Sequence, residues 1–124
     1  MTERSELIEL HNRLSKTLDE ERVAAKDKRH VKGYRTAREN LDDLVDKDTF
    51  VEYGQLAVAA QKSRREVEDL RTETAADGII TGFGKINADI LDDSKALSAI
   101  IINDYSVLAG TQGYYHHKKL DRIC

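Results

Sequence analysis

The stretch that most constrains the fold runs from residue 96 to residue 123. An isoleucine-rich apolar segment, ALSAIIIN, leads into a loop with two glycines and then into a polar segment with helical spacing, YYHHKKLDRI. This order predicts a strand, a glycine loop and a helix. Glycines allow a ligand to approach the backbone, and unbonded N–H groups at a helix start attract anions. The stretch therefore predicts an anion-binding loop, with a plain turn as the alternative.

Length, charge and cysteine content limit the class of protein. A chain of 124 residues suffices for one domain but not for two well-buried cores. The net charge of -3 gives no electrostatic basis for binding nucleic acid or an anionic membrane. The single cysteine, Cys124, excludes a disulfide framework. No apolar run is long enough for a membrane helix and the first residues are too charged for a signal peptide, so we expect a cytoplasmic protein.

A leucine repeat predicts that residues 1–33 form an N-terminal amphipathic helix. Its leucines fall on one helical face, and Gly33 is a natural stop. They are Leu7, Leu10, Leu14 and Leu18. The repeat is too short for a coiled coil, so we interpret one continuous helix over residues 2–32 as the cover for one side of the core.

A second helix is predicted by a capping box formed by Thr36 and Glu39. We expect its buried face to comprise Leu41, Leu44 and Val45. Residues 50–53 alternate as a short strand that ends at Gly54. Residues 55–74 are weakly helical around a basic cluster, which we interpret as a solvated face, with phosphate binding as the alternative. The cluster comprises Lys62, Arg64 and Arg65.

The hydrophobic period changes at residue 77. Residues 78–86 predict a strand in which Gly82 and Gly84 share one face and make room for a closely packed neighbour. Residues 87–95 form a polar turn, and residues 96–103 return as the second strand of a hairpin. Together with the helices, this predicts an α+β fold, with N-terminal helices followed by a β-hairpin and a helix.

No nucleophile and base can be paired in this sequence. His116 and His117 are adjacent, and adjacent helical residues point apart. His117 and Asp121 have i, i+4 spacing, which predicts a surface contact. Chemistry by backbone dipoles is the remaining option, because paired N–H groups can hold the oxyanion of a thioester enolate without an ionisable side chain.

Four blocks of sequence resemble the start of the biotin-dependent acyl-CoA carboxyltransferases. The family pattern has T-A-R-E-R at a helix start, a turn into a strand, D-G-x-x-x-G-x-G in a strand, and D-x-T-V-x-x-G-[ST]-x-G before a helix. The matching segments here are RTARENLDDLVDKDTFVEYG, AADGIITGFGKIN and DYSVLAGTQGYYHHKKLDRI. Residues 46–48 lack the usual proline-glycine turn, and Ala109 stands where many relatives have glycine.

This resemblance implies a partial crotonase-like fold, with residues 34–124 as the leading part of a carboxyltransferase N-terminal domain. The parent enzyme would move a carboxyl group from carboxybiotin to an acyl-CoA. We expect carboxybiotin to be carried by a biotin carboxylase or carrier partner, no cofactor to be held tightly by this piece, and the protein to be a homo-oligomer. The positions that the resemblance suggests for contact with the CoA thioester are Gly110, Thr111, Gln112, Gly113, Lys118 and Lys119.

Three interpretations of the chain stay open at this point. The chain stops within a helical pattern and lacks a C-cap glycine, so we expect a piece of a longer protein that is inactive alone. A small non-enzymatic binding or assembly module would also explain the same scaffold. The third reading is a nucleic-acid binder, because residues 110–113 imitate a G-x-x-G loop with basic residues behind it. The acidic net charge argues against that reading.

Overall fold

The computed structural model describes residues 4–61, 66–110 and 113–124, and these ranges contain six α-helices and three β-strands. The helices are α1 (Ser5–Ser15), α2 (Val23–Val31), α3 (Ala37–Leu44), α4 (Val67–Glu73), α5 (Asp93–Ala96) and α6 (Tyr114–Ile123). The strands are β1 (Val51–Tyr53), β2 (Ile79–Lys85) and β3 (Leu97–Asn103). Within the described part of the chain, no helix has the length and apolar character needed to cross a bilayer.

The prediction of one continuous N-terminal helix is wrong, because the chain turns between α1 and α2. The backbone is extended at Leu18, and a short 3-10 helix, Asp19–Glu21, follows. The buried Thr17 stabilises the turn, since its hydroxyl donates to the carbonyl of Leu14 at 2.7 Å and accepts from the Gln55 amide at 2.7 Å. α1 contains no buried residue, so it does not cover the core as expected.

The predicted stop at Gly33 is confirmed. Gly33 has a φ of +80° and follows the last turn of α2. Its N–H donates to the carbonyl of His30 at 2.9 Å, and the N–H of Tyr34 donates to the carbonyl of Arg29 at 3.0 Å. These bonds satisfy carbonyls that a helix end otherwise leaves without partners.

The capping box at the start of α3 is also confirmed. The hydroxyl of Thr36 accepts from the N–H of Glu39 at 3.1 Å, and the Glu39 carboxylate accepts from the N–H of Thr36 at 2.8 Å. The same hydroxyl donates to a carboxylate oxygen of Asp19 at 2.5 Å. Thr36 therefore also connects α3 to the turn between α1 and α2.

We predict that Thr36→Ala lowers the free energy of unfolding by about 1–2 kcal/mol, at the upper part of the range for an N-cap. The alanine loses both the cap and the bond to Asp19. Urea denaturation followed by circular dichroism measures the change. Thr72→Ala is the control, because Thr72 is exposed and its hydroxyl donates to the carbonyl of Glu68 within the same helix at 3.1 Å. An unchanged midpoint for Thr36→Ala would contradict the cap.

The three strands form one antiparallel sheet in the order β1-β2-β3, which confirms the predicted hairpin of β2 and β3. The space above Gly82 and Gly84 is filled by Phe50, as the paired glycines predicted. A core on one face joins α3 to the sheet. Its buried members are Ala37, Leu41, Ile80 and Ile100, and Val45, Phe50, Ile86 and Ile102 pack against them.

Two finer predictions about helices fail. Leu44 is exposed rather than buried, because α3 ends at this residue and the backbone is extended at Val45. The helix expected over residues 55–74 is limited to α4, and residues 55–61 contain no helix. The basic cluster Lys62, Arg64 and Arg65 lies outside the described residues.

Candidate functional site

The loop that follows β3 is held by a buried ion pair. Asp104 accepts from the N–H and the hydroxyl of Ser106 at 2.9 and 2.5 Å, which forms a tight Asx turn. Arg22 donates to the other carboxylate oxygen of Asp104 at 3.0 Å and to the Ser106 hydroxyl at 3.2 Å. Only 6% of the Arg22 side chain and 14% of the Asp104 side chain are exposed. The segment between α1 and α2 therefore fixes the start of this loop.

The start of α6 is occupied by the carboxylate of Asp77. Asp77 Oδ2 accepts from the N–H of His116 at 2.8 Å, and Gly113 is the N-cap residue. A Cβ on Gly113 would lie 2.5 Å from Asp77 Oδ1, so only glycine fits here without a shift. The sequence predicted that this helix start attracts an anion, and in the structure an internal carboxylate occupies that place.

Asp77 lies in an unusual turn before β2. Ala76, Asp77 and Gly78 all have left-handed backbones, with φ values of 55°, 48° and 76°. This conformation is unfavourable for alanine and aspartate, so neighbouring contacts must stabilise it. The carbonyl of Gly78 accepts from the N–H of Asp104 at 2.9 Å, which joins the turn to the loop after β3. The carbonyl of Asp77 lies 3.1 Å from His116 Nδ1.

Lys119 extends into the protein and provides a further support for this turn. Its Nζ donates to the carbonyls of Ala76 and Ile79 at 2.9 and 2.5 Å. Its carbon chain packs on Gly54, where a Cβ would come within 2.9–3.0 Å of it. Burial lowers the pKa of Lys119 to about 8, while the nearby carboxylates of Glu52 and Asp77 act in the opposite direction.

We predict that the stability of the chain rises between pH 8 and pH 10.5 because of Lys119. Over this range the unfolded lysine still binds its proton, whereas the folded lysine, whose pKa is about 8, has lost it. The free energy of unfolding therefore increases with pH. In Lys119→Met this increase should disappear. Urea denaturation at several pH values measures it, and Lys118→Met, at the exposed neighbour, should keep the wild-type slope.

The structure does not gather the predicted site residues on one surface. Gly110 has a φ of +78°, which glycine adopts easily, and Gly113 faces Asp77. Lys118 is exposed with its Nζ over the ring of Tyr114, whereas Lys119 is buried. Thr111 and Gln112 lie outside the described residues. A CoA contact at these positions stays a prediction, and the buried Lys119 supports the loop from within.

The histidines of α6 have different environments. His116 is buried against Asp77, while His117 lies 3.6 Å from a carboxylate oxygen of Asp121 on the surface. The predicted surface contact of His117 and Asp121 is confirmed. In the described ranges, no three histidine, cysteine, aspartate or glutamate side chains come together as a metal site requires.

Sequence reasoning missed the charged residues that hold the loop. Asp77 is the first residue of the segment that resembles D-G-x-x-x-G-x-G, and Asp104 is the first residue of the segment that resembles D-x-T-V-x-x-G-[ST]-x-G. The D-x-S spacing at Asp104 is also a signal for an Asx turn. No local signal identifies Arg22, because its partner lies 82 positions along the chain.

Two curated carboxylase subunits are similar to this chain in sequence. The biotin-dependent acetyl-/propionyl-coenzyme A carboxylase beta5 subunit of Mycobacterium leprae is 32% identical over 122 residues, or 98% of this chain and 20% of the relative. The propionyl-CoA carboxylase beta chain of Roseobacter denitrificans is 30% identical over 114 residues, or 86% of this chain and 20% of the relative. The chain thus spans about a fifth of the length of these curated relatives.

Two solved structures are similar to this chain in fold. A single-chain, multi-domain long-chain acyl-CoA carboxylase superposes with a TM-score of 0.94 at 52% identity, covering 98% of this chain and 12% of that chain. One chain of transcarboxylase 12S superposes with a TM-score of 0.68 at 24% identity, covering 99% of this chain and 22% of that chain, which shows a shared fold alone. Residues 28–124 match the carboxyl transferase domain, and the chain therefore belongs to that family.

Proposed function

We propose that this chain forms part of an enzyme that moves a carboxyl group from carboxybiotin to the α-carbon of an acyl-CoA. The family match over residues 28–124 carries the proposal. The ordered series of β2, β3, glycine loop and α6 supports it, because this is the part of the chain where a thioester could approach backbone N–H groups. We further propose that these elements are the opening part of a crotonase-like fold.

Backbone contact with the thioester is the role that we assign to Gly110 and Gly113. Their missing side chains let the thioester end come close to the backbone, while the N–H of Gly110 itself donates to the carbonyl of Val107 at 3.0 Å. We propose that the donors for the enolate oxygen belong to other residues of the complete enzyme. The buried residues Asp77, Arg22 and Asp104 act as positioning residues, since they bind the two ends of the loop. Their bonds hold both ends of the loop, which limits how far it can move when the thioester approaches.

Carboxybiotin would supply the carboxyl group. We assign none of the described residues to the binding of carboxybiotin. We propose that a biotin carboxylase or a biotin carrier, on a partner domain or subunit, brings it to the site. We further propose that the complete enzyme is a homo-oligomer. The cellular location that we propose is the cytoplasm.

The test is carboxylation by the natural protein that contains this sequence, purified with its biotinylated partner. Acetyl-CoA and propionyl-CoA are offered with ATP and labelled bicarbonate, and acid-stable label in the CoA product is counted. We expect incorporation that requires both the acyl-CoA and the biotinylated partner. Absence of incorporation with either acyl-CoA and with longer acyl chains would refute the proposed activity.

A related prediction concerns the 124-residue chain alone. We expect no carboxyl transfer above background from chemically prepared carboxybiotin to either acyl-CoA. Each missing oxyanion donor costs a factor of ~10²–10³, and the loss of a positioned second reactant removes up to ~7–11 kcal/mol of rate enhancement. The same product assay, with the natural protein as positive control, measures the rate. Turnover by the 124 residues would show that they already form a complete catalyst.

A further inference from the structure

A small cavity of about 140 Å³ lies between the end of α1, the segment after β1, and α4. Sites for drug-sized ligands have volumes of roughly 300–1,000 Å³, so this cavity suits a ligand of only a few heavy atoms. Neither Gly110 nor Gly113 lines it, so it is separate from the positions that we propose for thioester contact. Most of its wall is apolar, formed by Leu56, Ala57, Val58, Val67, Ala75 and Ala76.

Two arginines from different helices carry the charge of this wall. Arg13 comes from α1 and Arg71 from α4, and no acidic residue of the described ranges lines the cavity. Each arginine has an ion pair outside the lining, Arg13 with Glu9 at 2.5 Å and Arg71 with Glu68. The side chains of these two glutamates are 62% and 63% exposed, so their attraction for the arginines is weakened by water.

A third cation leaves this cluster with more positive than negative charge. The Lys16 ammonium donates to Glu68 at 2.9 Å, so α1 and α4 both bind the same carboxylate. The ion pairs of the cluster therefore join three cations to two carboxylates, those of Glu9 and Glu68. An anion in the cavity between the two arginines would balance the remaining charge.

The inner donor of Arg13 also lacks a partner. Its Nε is buried and forms no hydrogen bond among the described residues. A buried donor without a partner is unfavourable in a native protein, so an acceptor is expected beside it. The Thr17 hydroxyl and the Gln55 amide, which also line the cavity, are already bonded to each other at 2.7 Å. The guanidinium groups are therefore the donors that a ligand meets here.

We propose that this cavity binds a small carboxylate of about the size of acetate or butyrate. A guanidinium presents N–H groups in a planar fork that matches the two oxygens of a carboxylate. The alkyl part packs on the apolar wall and covers Leu56 and Val67, which are 43% and 37% exposed without it. A phosphate has no apolar part and would place oxygens against that wall, which is unfavourable.

The direct test measures binding of sodium butyrate to the natural protein that contains this sequence, by saturation-transfer NMR. We expect saturable binding with a Kd in the millimolar range, as befits so small a ligand. Arg13→Gln/Arg71→Gln should weaken it ~10-fold or more through the lost charge-assisted bonds. Arg35→Gln/Arg122→Gln removes the same charge outside the lining and should leave affinity within about twofold.

Three further measurements sharpen the test. Arg13→Lys/Arg71→Lys keeps the charge but loses the planar fork, and should weaken binding several-fold. Butyramide, which has the shape of butyrate without its charge, should show no saturable binding. The N-acetyl, N-methylamide derivative of glutamate imitates a carboxylate from another protein, and it should bind more weakly than butyrate because its backbone exceeds the cavity. Circular dichroism must show that each variant is folded.

Four outcomes would overturn this inference. They are no saturable binding of butyrate, equal affinities in the two arginine-to-glutamine double variants, tighter binding of inorganic phosphate than of butyrate, or tighter binding of the glutamate derivative. The third outcome would assign the cavity to phosphate, and the fourth would assign it to a protein partner.

The inference does not depend on the proposed function, and carboxylation by the natural protein separates the two. Arg13→Gln/Arg71→Gln should leave KM for the acyl-CoA within about twofold, because the cavity is separate from the glycine loop. A ~10-fold rise in KM would place the arginines at the acyl-CoA site and overturn the inference, while leaving the proposed activity standing. Arginine-dependent butyrate binding without any carboxylation would support the cavity site and refute the activity.

Discussion

Replacing Gly82 with alanine should destabilise the sheet by about 4 kcal/mol or more, enough to unfold much of the chain at room temperature. A Cβ at this position would lie inside van der Waals contact with the carbonyl oxygen of Val51, 2.7 Å from the Phe50 ring and 2.9 Å from the Cα of Glu52. Two of these three atoms belong to the backbone of β1. That strand cannot move away without breaking its pairing with β2.

Gly84→Ala is the matched control, because Gly84 lies two residues further along the same strand and on the same face. A Cβ there would meet side-chain atoms of Val45 and Phe50 at 3.2 and 3.3 Å, which small rotations can relieve. We expect a loss of about 1 kcal/mol for Gly84→Ala. Urea denaturation and near-ultraviolet circular dichroism compare the two variants. Equal stabilities would show that the close approach of β1 to Gly82 is not as tight as described.

The largest effect on activity is expected for Gly113→Val in the natural protein that contains this sequence. The Cβ of valine would lie 2.5 Å from Asp77 Oδ1 and 2.8 Å from Asp77 Oδ2. Either the start of α6 or Asp77 must move, and the loop that we propose to contact the thioester moves with it. We expect kcat/KM for acyl-CoA carboxylation to fall by ~10²-fold or more, because a misplacement of about 1 Å in a site can cost a factor of that size.

Gly110→Ala provides the comparison for that experiment. Among the described residues, a Cβ on Gly110 would meet atoms of Tyr105 alone, at 3.5 and 3.9 Å, although the positive φ makes alanine moderately unfavourable. We expect a smaller loss, within about tenfold. Gly113→Val with kcat/KM near wild type would show that the start of α6 takes no part in substrate binding. The assay must be accompanied by a thermal melt, so that an unfolded variant is not counted as an inactive one.

Features encoded by neighbouring residues were predictable from sequence. The capping box needs only Thr36 and Glu39, which are three positions apart, and the stop at Gly33 needs one residue with a left-handed backbone. The glycines at 82 and 84 predicted a close neighbour, because alternate residues of a strand share a face. The strand, loop and helix order over residues 96–123 was predictable because the hydrophobic period changes there.

Features that depend on distant partners were not predictable. The leucine spacing continues through Leu18, so the break between α1 and α2 has no sequence signal, and the stabilising bond comes from Gln55. The family resemblance suggested that Lys119 contacts the CoA thioester, whereas the structure buries it, which is uncommon for a lysine. Its partners are backbone carbonyls of Ala76 and Ile79, more than 39 positions away, and nothing local in the sequence identifies them.

The inward course of Lys119 has a consequence for how α6 can move. Its carbon chain lies on Gly54, its Nζ bonds to two carbonyls before and within β2, and its own carbonyl accepts from the Tyr53 hydroxyl at 2.5 Å. The helix is thus prevented from sliding or rotating at a point about 9 Å from Gly113. A bulky substitution at Gly54 would displace this point, and the rigid helix would transmit that displacement to the glycine loop. Variants at Gly54, directly after β1, can therefore alter the loop without touching it.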